Sequence, residues 1–166
     1  MKIQGIVWKV GDNINTDLII AGKYKLNITN IDELAKHAME GVIPDFAQKV
    51  KKGDVIVAGN NFGCGSSREQ APLVLKHLGL GAVIAKSFAR IFYRNAINIG
   101  LPAVECKNVD DISEGDLIAA NLTEGFVENL TKNKTYSIKP MPPALWEILS
   151  EGGLVEYVKK HGKLPW

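Results

Sequence analysis

Hydrophobic residues in this chain fall into short blocks whose period changes along its length. Apolar positions alternate loosely around Ile3, Ile6 and Trp8, which predicts a first strand over 2–10. Compact apolar runs at 54–58, 81–85 and 101–105 have the length and β-branched content of buried strands. Between them the spacing becomes helical. Ala71, Val74, Leu75 and Leu78 recur until Gly79 supplies a stop, and Phe88, Ile91, Phe92 and Asn95 repeat the pattern behind Ser87, the expected cap. Strand, helix, strand, helix, strand over 54–105 predicts parallel pairing with right-handed crossovers. Beyond it the pattern turns to short strands over 116–122, 126–130 and 135–139, the last two forming a hairpin through Lys132-Asn133-Lys134. Pro142-Pro143 then opens a helix reaching Leu149, and a final helix covers 154–161. Two stretches keep no period. Residues 21–30 read as a loop before a helix over 32–40 capped by Asn30, and 44–53 as a connection anchored by Phe46. No repeat or low-complexity linker intervenes, so residues 1–166 are expected to form a single domain.

Composition narrows the partners. At 166 residues and 46% hydrophobic content the chain can bury a proper core, and its net charge of +2 is scattered without a basic stripe. Nucleic acid is therefore not expected, while acidic small molecules are compatible. No leader pattern and no apolar segment of ~20 residues is present, which predicts a soluble, cytoplasmic protein with no membrane partner. The two cysteines, Cys64 and Cys106, are too few for a disulfide scaffold, and an iron–sulfur cluster takes roughly three or four thiolates. No metal ligands are assigned to this chain, and any cluster must come from another. Cys106 reads as a small buried hydrophobe. Cys64 lies in a turn where a thiol could be activated, but a steric role is favoured.

Candidate chemistry concentrates in Gly59-Asn60-Asn61-Phe62-Gly63-Cys64-Gly65-Ser66-Ser67-Arg68-Glu69-Gln70, with a strand behind it and a helix ahead. This turn delivers Ser66, Ser67 and Arg68 to a helix mouth, where backbone N–H groups and the helix dipole favour an anion. Arg68 adds a planar fork suited to a carboxylate. Three other readings stay open. Ser66 or Ser67 with Glu69 nearby is ordinary capping chemistry. Gly63-x-Gly65 is a partial dinucleotide loop, with Arg68 standing where a third glycine belongs. A serine hydrolase ranks last, because neither serine is flanked as in Gly-x-Ser-x-Gly and His37, His77 and His161 mark no base. Arg90 and Arg94, four apart, read as a solvated or salt-bridged helix face.

These residues also carry a resemblance. Gly63-Cys64-Gly65-Ser66-Ser67-Arg68-Glu69, followed by Lys86-Ser87-Phe88-Ala89-Arg90-Ile91-Phe92 and preceded by Gly11-Asp12-Asn13-Ile14-Asn15-Thr16-Asp17, is similar to the swivelling domain of the aconitase superfamily. Order, spacing and small size are closest to its separate isopropylmalate dehydratase small subunits. The resemblance implies an α/β fold of the aconitase-type swivelling β/β/α kind, with a mixed, partly parallel sheet. It implies a hydro-lyase isomerase of leucine biosynthesis that moves a hydroxyl between adjacent carbons of a malate derivative, active only with a large subunit carrying a [4Fe-4S] cluster. The implied roles are Ser66 as base and Ser67 and Arg68 as carboxylate ligands. Thr16, Asp17, Gly63, Cys64, Gly65 and Arg90 are implied as supports. The segment after Gly22-Lys23-Tyr24 is implied to read the substrate's side group through Tyr24, Lys25, Leu26 and Ile28. Leu26 and Ile28 suit an apolar group and Lys25 a further carboxylate. A homoaconitase or substituted-malate dehydratase small subunit therefore remains an alternative, as does a non-catalytic carboxylate-binding domain; solvent-exposed loop residues with one apolar anchor remain the plainer reading of this segment. Gln70 departs from the histidine that many relatives place after Ser-Arg-Glu.

Overall fold

The strand β1 (Ile3–Lys9) runs through the middle of the sheet and uses its two edges differently. The computed structural model describes residues 2–166. On one side β1 pairs in parallel with β2 (Val55–Ala58), setting Val7 opposite Val55. Parallel pairing continues through β3 (Ala82–Ala85) to β4 (Ala103–Glu105) at the edge. On its other side β1 pairs antiparallel with β5 (Leu117–Asn121), setting Ile3 opposite Ala120. β6 (Phe126–Asn129) and β7 (Lys134–Ser137) complete a meander, turned at Asn133 with φ 57°. The result is one seven-stranded mixed sheet in the order β4-β3-β2-β1-β5-β6-β7.

Burial follows this division. Every residue of β2 and β3 is buried, as a parallel strand covered on both faces requires, whereas β5 and β6 alternate buried and half-buried residues. Side chains of the sheet such as Val7, Ile56 and Ile84 join Phe46, Phe62, Leu75, Phe92 and Ile148 in one apolar cluster.

The longer helices sit where the period places them: α5 (Gln70–His77), α6 (Arg90–Asn98), α7 (Pro143–Ser150) and α8 (Leu154–His161). The segment between β1 and β2 departs from expectation and is made of short helices: α1 (Thr16–Ile19), α2 (Gly22–Asn27), α3 (Ile31–Ala35) and α4 (Phe46–Lys49). Residues 21–30 are thus not simply a loop, and α4 occupies the connection in which Phe46, 1% exposed, meets Trp8 edge-on at 5.2 Å. Asn30 caps α3 as predicted, accepting from the Asp32 and Glu33 N–H groups, but the helix stops at Ala35 instead of Glu40. Met39, fully buried with φ 59°, gives its N–H to the Ile19 carbonyl, and this tertiary bond displaces a further helical turn. No helix among the described residues is long and apolar enough to cross a membrane.

Candidate active site

Two loops leave the carboxyl ends of the neighbouring parallel strands β1 and β2 and run together, the usual place for a ligand in such a sheet. Asp12 Oδ1 accepts the Asn60 N–H at 2.6 Å, the Asn13 N–H reaches the Asn60 carbonyl at 2.8 Å, and the Gly63 N–H reaches the Ile14 carbonyl at 2.8 Å. Thr16 completes the seam. It is 3% exposed, takes the Cys64 carbonyl with its N–H at 2.8 Å and donates its hydroxyl to the Ser66 carbonyl at 2.7 Å.

The turn itself depends on two glycines. Gly63 has φ 82°, and a Cβ there would enter the Phe92 ring of α6; Gly65 has φ 91°. Neither predicted hydroxyl cap exists. α5 begins at Gln70 with Glu69 at its N-cap and no side-chain cap bond, and Ser66 and Ser67 are left exposed in the turn. Ser87 likewise does not cap α6, whose N-cap is Ala89; its Oγ accepts the Asn61 N–H at 2.8 Å and braces the turn from behind. Among the described residues, the backbone N–H groups of residues 64–70 have no acceptor within the chain. Unpaired amides beside the first turn of an eight-residue helix are donors of the kind that favour an anion.

Arg68 is fixed before any ligand arrives. Its Nη1 donates to Asp17 Oδ1 at 2.8 Å and to the Ile20 carbonyl at 3.3 Å, and only 18% of its side chain is exposed. The Gly22 N–H also reaches Asp17 Oδ1, at 3.0 Å; that bond first, and Arg68 second, hold the Asp17 carboxyl below its ordinary pKa. Thr16, Gly63, Gly65, Ser66, Ser67 and Arg68 line one recess of about 210 Å³, closed opposite by α6 through Arg90, Phe92 and Asn95. Cys64 contributes its carbonyl to the Thr16 tie, and Cys106 is 2% exposed with its thiol pushed up by burial.

The segment expected to read the side group lies apart. Lys25 and Ile28 line a second recess of about 300 Å³ with Ile31, Leu34, Leu73 and Gln70, whose Oε1 is buried without a partner. Leu26 is 84% exposed and lines neither recess. Tyr24 turns away from both and stacks on His37. Sequence reasoning passed over three contributors. Asn95 was visible through its helical spacing with Ile91, whereas nothing local linked Asp12 to Asn60 or Ser87 to Asn61.

The family described as the aconitase C-terminal domain matches residues 9–109. The chain is 55% identical over 163 residues to 3-isopropylmalate dehydratase small subunit 1 of Thermotoga maritima, covering 98% of both. It is also 55% identical over 158 residues to the methanogen homoaconitase small subunit of Methanothermobacter thermautotrophicus, covering 95% of this chain and 91% of that one. The crystal structure of a 3-isopropylmalate dehydratase from Methanocaldococcus jannaschii superposes with a TM-score of 0.91 at 51% identity, covering 98% of this chain and 96% of that one. By its matched residues, its recess and this likeness, the chain belongs to the aconitase C-terminal domain family and groups within it with the 3-isopropylmalate dehydratase small subunits.

Proposed function

We propose that this chain is the small subunit of a 3-isopropylmalate dehydratase and supplies the carboxylate-binding, proton-moving half of its active site. One observation carries the reading: two exposed hydroxyls and a pre-positioned guanidinium share a recess with residues 65–68, whose backbone amides are unpaired among the described residues. A substrate carboxylate seated on Arg68, the Ser67 hydroxyl and these N–H groups places the adjacent carbon beside Ser66. The Ser66 oxygen takes the proton from that carbon while hydroxide leaves the neighbouring carbon, giving an unsaturated acid and, overall, water. Re-addition with the carbons exchanged completes the isomerisation. A serine alkoxide is a poor species in water, and the neighbouring N–H donors and Arg68 lower its cost once the partner subunit covers the exposed turn.

The departing hydroxyl needs an acid that this chain does not hold. Cys64 sits in the turn and Cys106 is buried, and the described residues contain no group of three His, Cys, Asp or Glu side chains placed to hold a metal. The residues therefore do not fit a [4Fe-4S] cluster, whose Lewis-acid role belongs in this reading to a large partner subunit.

The test is turnover by the chain assembled with a cluster-bearing large subunit, each alone serving as control. Ser66→Ala is expected to abolish formation of the unsaturated acid while the melting temperature and assembly stay unchanged. Near-normal activity in that variant would place the base elsewhere, and turnover by this chain alone would defeat the split-site reading.

A second reading, a homoaconitase small subunit, is favoured by one likeness and by Lys25, a cation at the rim of the second recess. Most of that recess's lining, Ile28, Ile31, Leu34 and Leu73, is apolar and favours a branched aliphatic group. Lys25→Ala decides between them. It should narrow without reversing the preference for isopropylmalate over a homologous tricarboxylic acid, because the aliphatic stem of Lys25 lines the recess, and collapse of a native tricarboxylate preference would overturn the choice.

A further inference from the structure

The six-residue helix α2 has no buried residue and no side-chain bond from its N-cap, yet it carries Lys25 to the rim of the second recess. So small a helix has no stability of its own, and outside contacts must set its position. One end is pinned through Gly22 to Asp17, the same carboxylate that holds Arg68. The other end is anchored by Ile28, half-buried against the core. The middle is held from behind. The Tyr24 ring lies flat on the His37 imidazole, with centroids 3.8 Å apart and planes 11° from parallel. His37 in turn is placed by Glu40, with Nδ1 and Oε2 3.0 Å apart, and the Glu40 carboxylate beside the Tyr24 hydroxyl raises the tyrosine pKa. Lys23 covers the remaining side, its Nζ 5.0 Å from the Tyr24 ring centroid.

We propose that Tyr24, His37 and Glu40 are positioning residues for substrate selectivity: their stack and hydrogen bond fix where α2, and therefore Lys25, stands relative to the turn bearing Ser66 and Arg68. This inference rests on the function proposed above and extends it to residues that touch neither recess. Tyr24 and Lys25 are adjacent on α2, so a shift of the helix that takes the tyrosine off His37 moves Lys25 with it. Truncating His37 leaves the middle of α2 only the packing of Tyr24 against the core, so the side-group contact loosens while the proton-transfer geometry, tied through Thr16 and Arg68, stays.

The test uses the assembled enzyme with isopropylmalate and a homologous tricarboxylic acid as competing substrates. His37→Ala should raise KM for the preferred acid and cut the ratio of the two kcat/KM values about tenfold, with kcat within about twofold of wild type. His37→Phe, which keeps an aromatic face for Tyr24, should restore most of the ratio, and Glu40→Gln should fall between. An unchanged ratio in His37→Ala, or a loss confined to kcat, would overturn the proposal. Hydrogen exchange in the chain without its partner gives a reading independent of activity. The α2 amides should exchange faster in His37→Ala than in His37→Phe, and equal exchange would also overturn the latch. Failure of the wild-type assembly to act on either acid would instead count against the proposed function.

Discussion

Arg68, the proposed carboxylate ligand, shows how far a side chain's placing is set by its neighbours. The motif around it is legible in the sequence, but the carboxylate that steadies it is 51 residues away at Asp17, and only the fold reveals that Nη1 is already committed. The other guanidinium nitrogens have no partner within the chain among the described residues, so Arg68 can present a fork to a substrate without releasing Asp17. Lysine cannot do both. Arg68→Lys is therefore expected to lower kcat/KM of the assembled enzyme by a factor on the order of 100, with little change in thermal stability. Activity within a few-fold of wild type would show that carboxylate binding lies elsewhere. Gly63 gives the opposite profile. Alanine there meets both a positive φ and the Phe92 ring, so Gly63→Ala should cost roughly 2–5 kcal/mol in a denaturant titration.

The elements that carry the site are joined by bonds that no local pattern announces. The period of 3.6 or 2 places the longer helices and the strands, because each buries a face long enough for the repeat to register. It misses α2 and α4, six and four residues long, which are too short to show a period and exist because tertiary contacts hold them. Hydroxyl caps are misjudged for a related reason. Ser66, Ser67 and Ser87 have the right chemistry for capping, but the first two stay exposed in a turn tied through its backbone, and the third accepts the Asn61 N–H from the loop after β2. Thr16 is the clearest case, since α1 begins at the residue that grips the Gly63–Arg68 turn twice. Thr16→Val keeps the volume but leaves the Ser66 carbonyl unpaired, which should cost about 1–2 kcal/mol in stability. Turnover should fall further than that, by more than about tenfold, because the displaced group is the proposed base. Thr16→Ser should recover most of it, and a valine variant with normal kcat would show that the tie is merely structural.

At the scale of the molecule, the strands, the parallel pairing of β2, β3 and β4 and the β6–β7 hairpin were legible, and the placing of β1 between the two halves was not. Nothing near Ile3 or Trp8 reveals that β1 would pair in parallel with residues about fifty positions on and antiparallel with residues beyond 116. The antiparallel half is secured by a buried charge that patterning also passes over. Asp116 is 5% exposed and accepts the Ser113 N–H at 2.9 Å and the amide of fully buried Asn129 at 2.8 Å, with Lys132 3.4 Å away. Burial alone would raise its pKa, but these three partners together hold it below the ordinary value. Asp17, Glu40, Asp110 and Glu151 are depressed as well, each by hydrogen bonds or cations. A carboxyl whose folded pKa is depressed binds more protons unfolded than folded at mildly acid pH, so stability there rises with pH. Their contribution should be complete above the ordinary carboxyl values of about 4 and should drain away as pH falls through the lower folded ones. Denaturant midpoints are accordingly expected to be level from pH 7 to 5 and to drop steeply by pH 3. Asp116→Asn should start lower at pH 7, since it replaces the charge that satisfies Ser113, Asn129 and Lys132, and should lose less on acidification. Parallel curves for the variant and wild type would show that Asp116 does not drive the acid transition, and that the stability of the β5–β6 half rests on its apolar face alone.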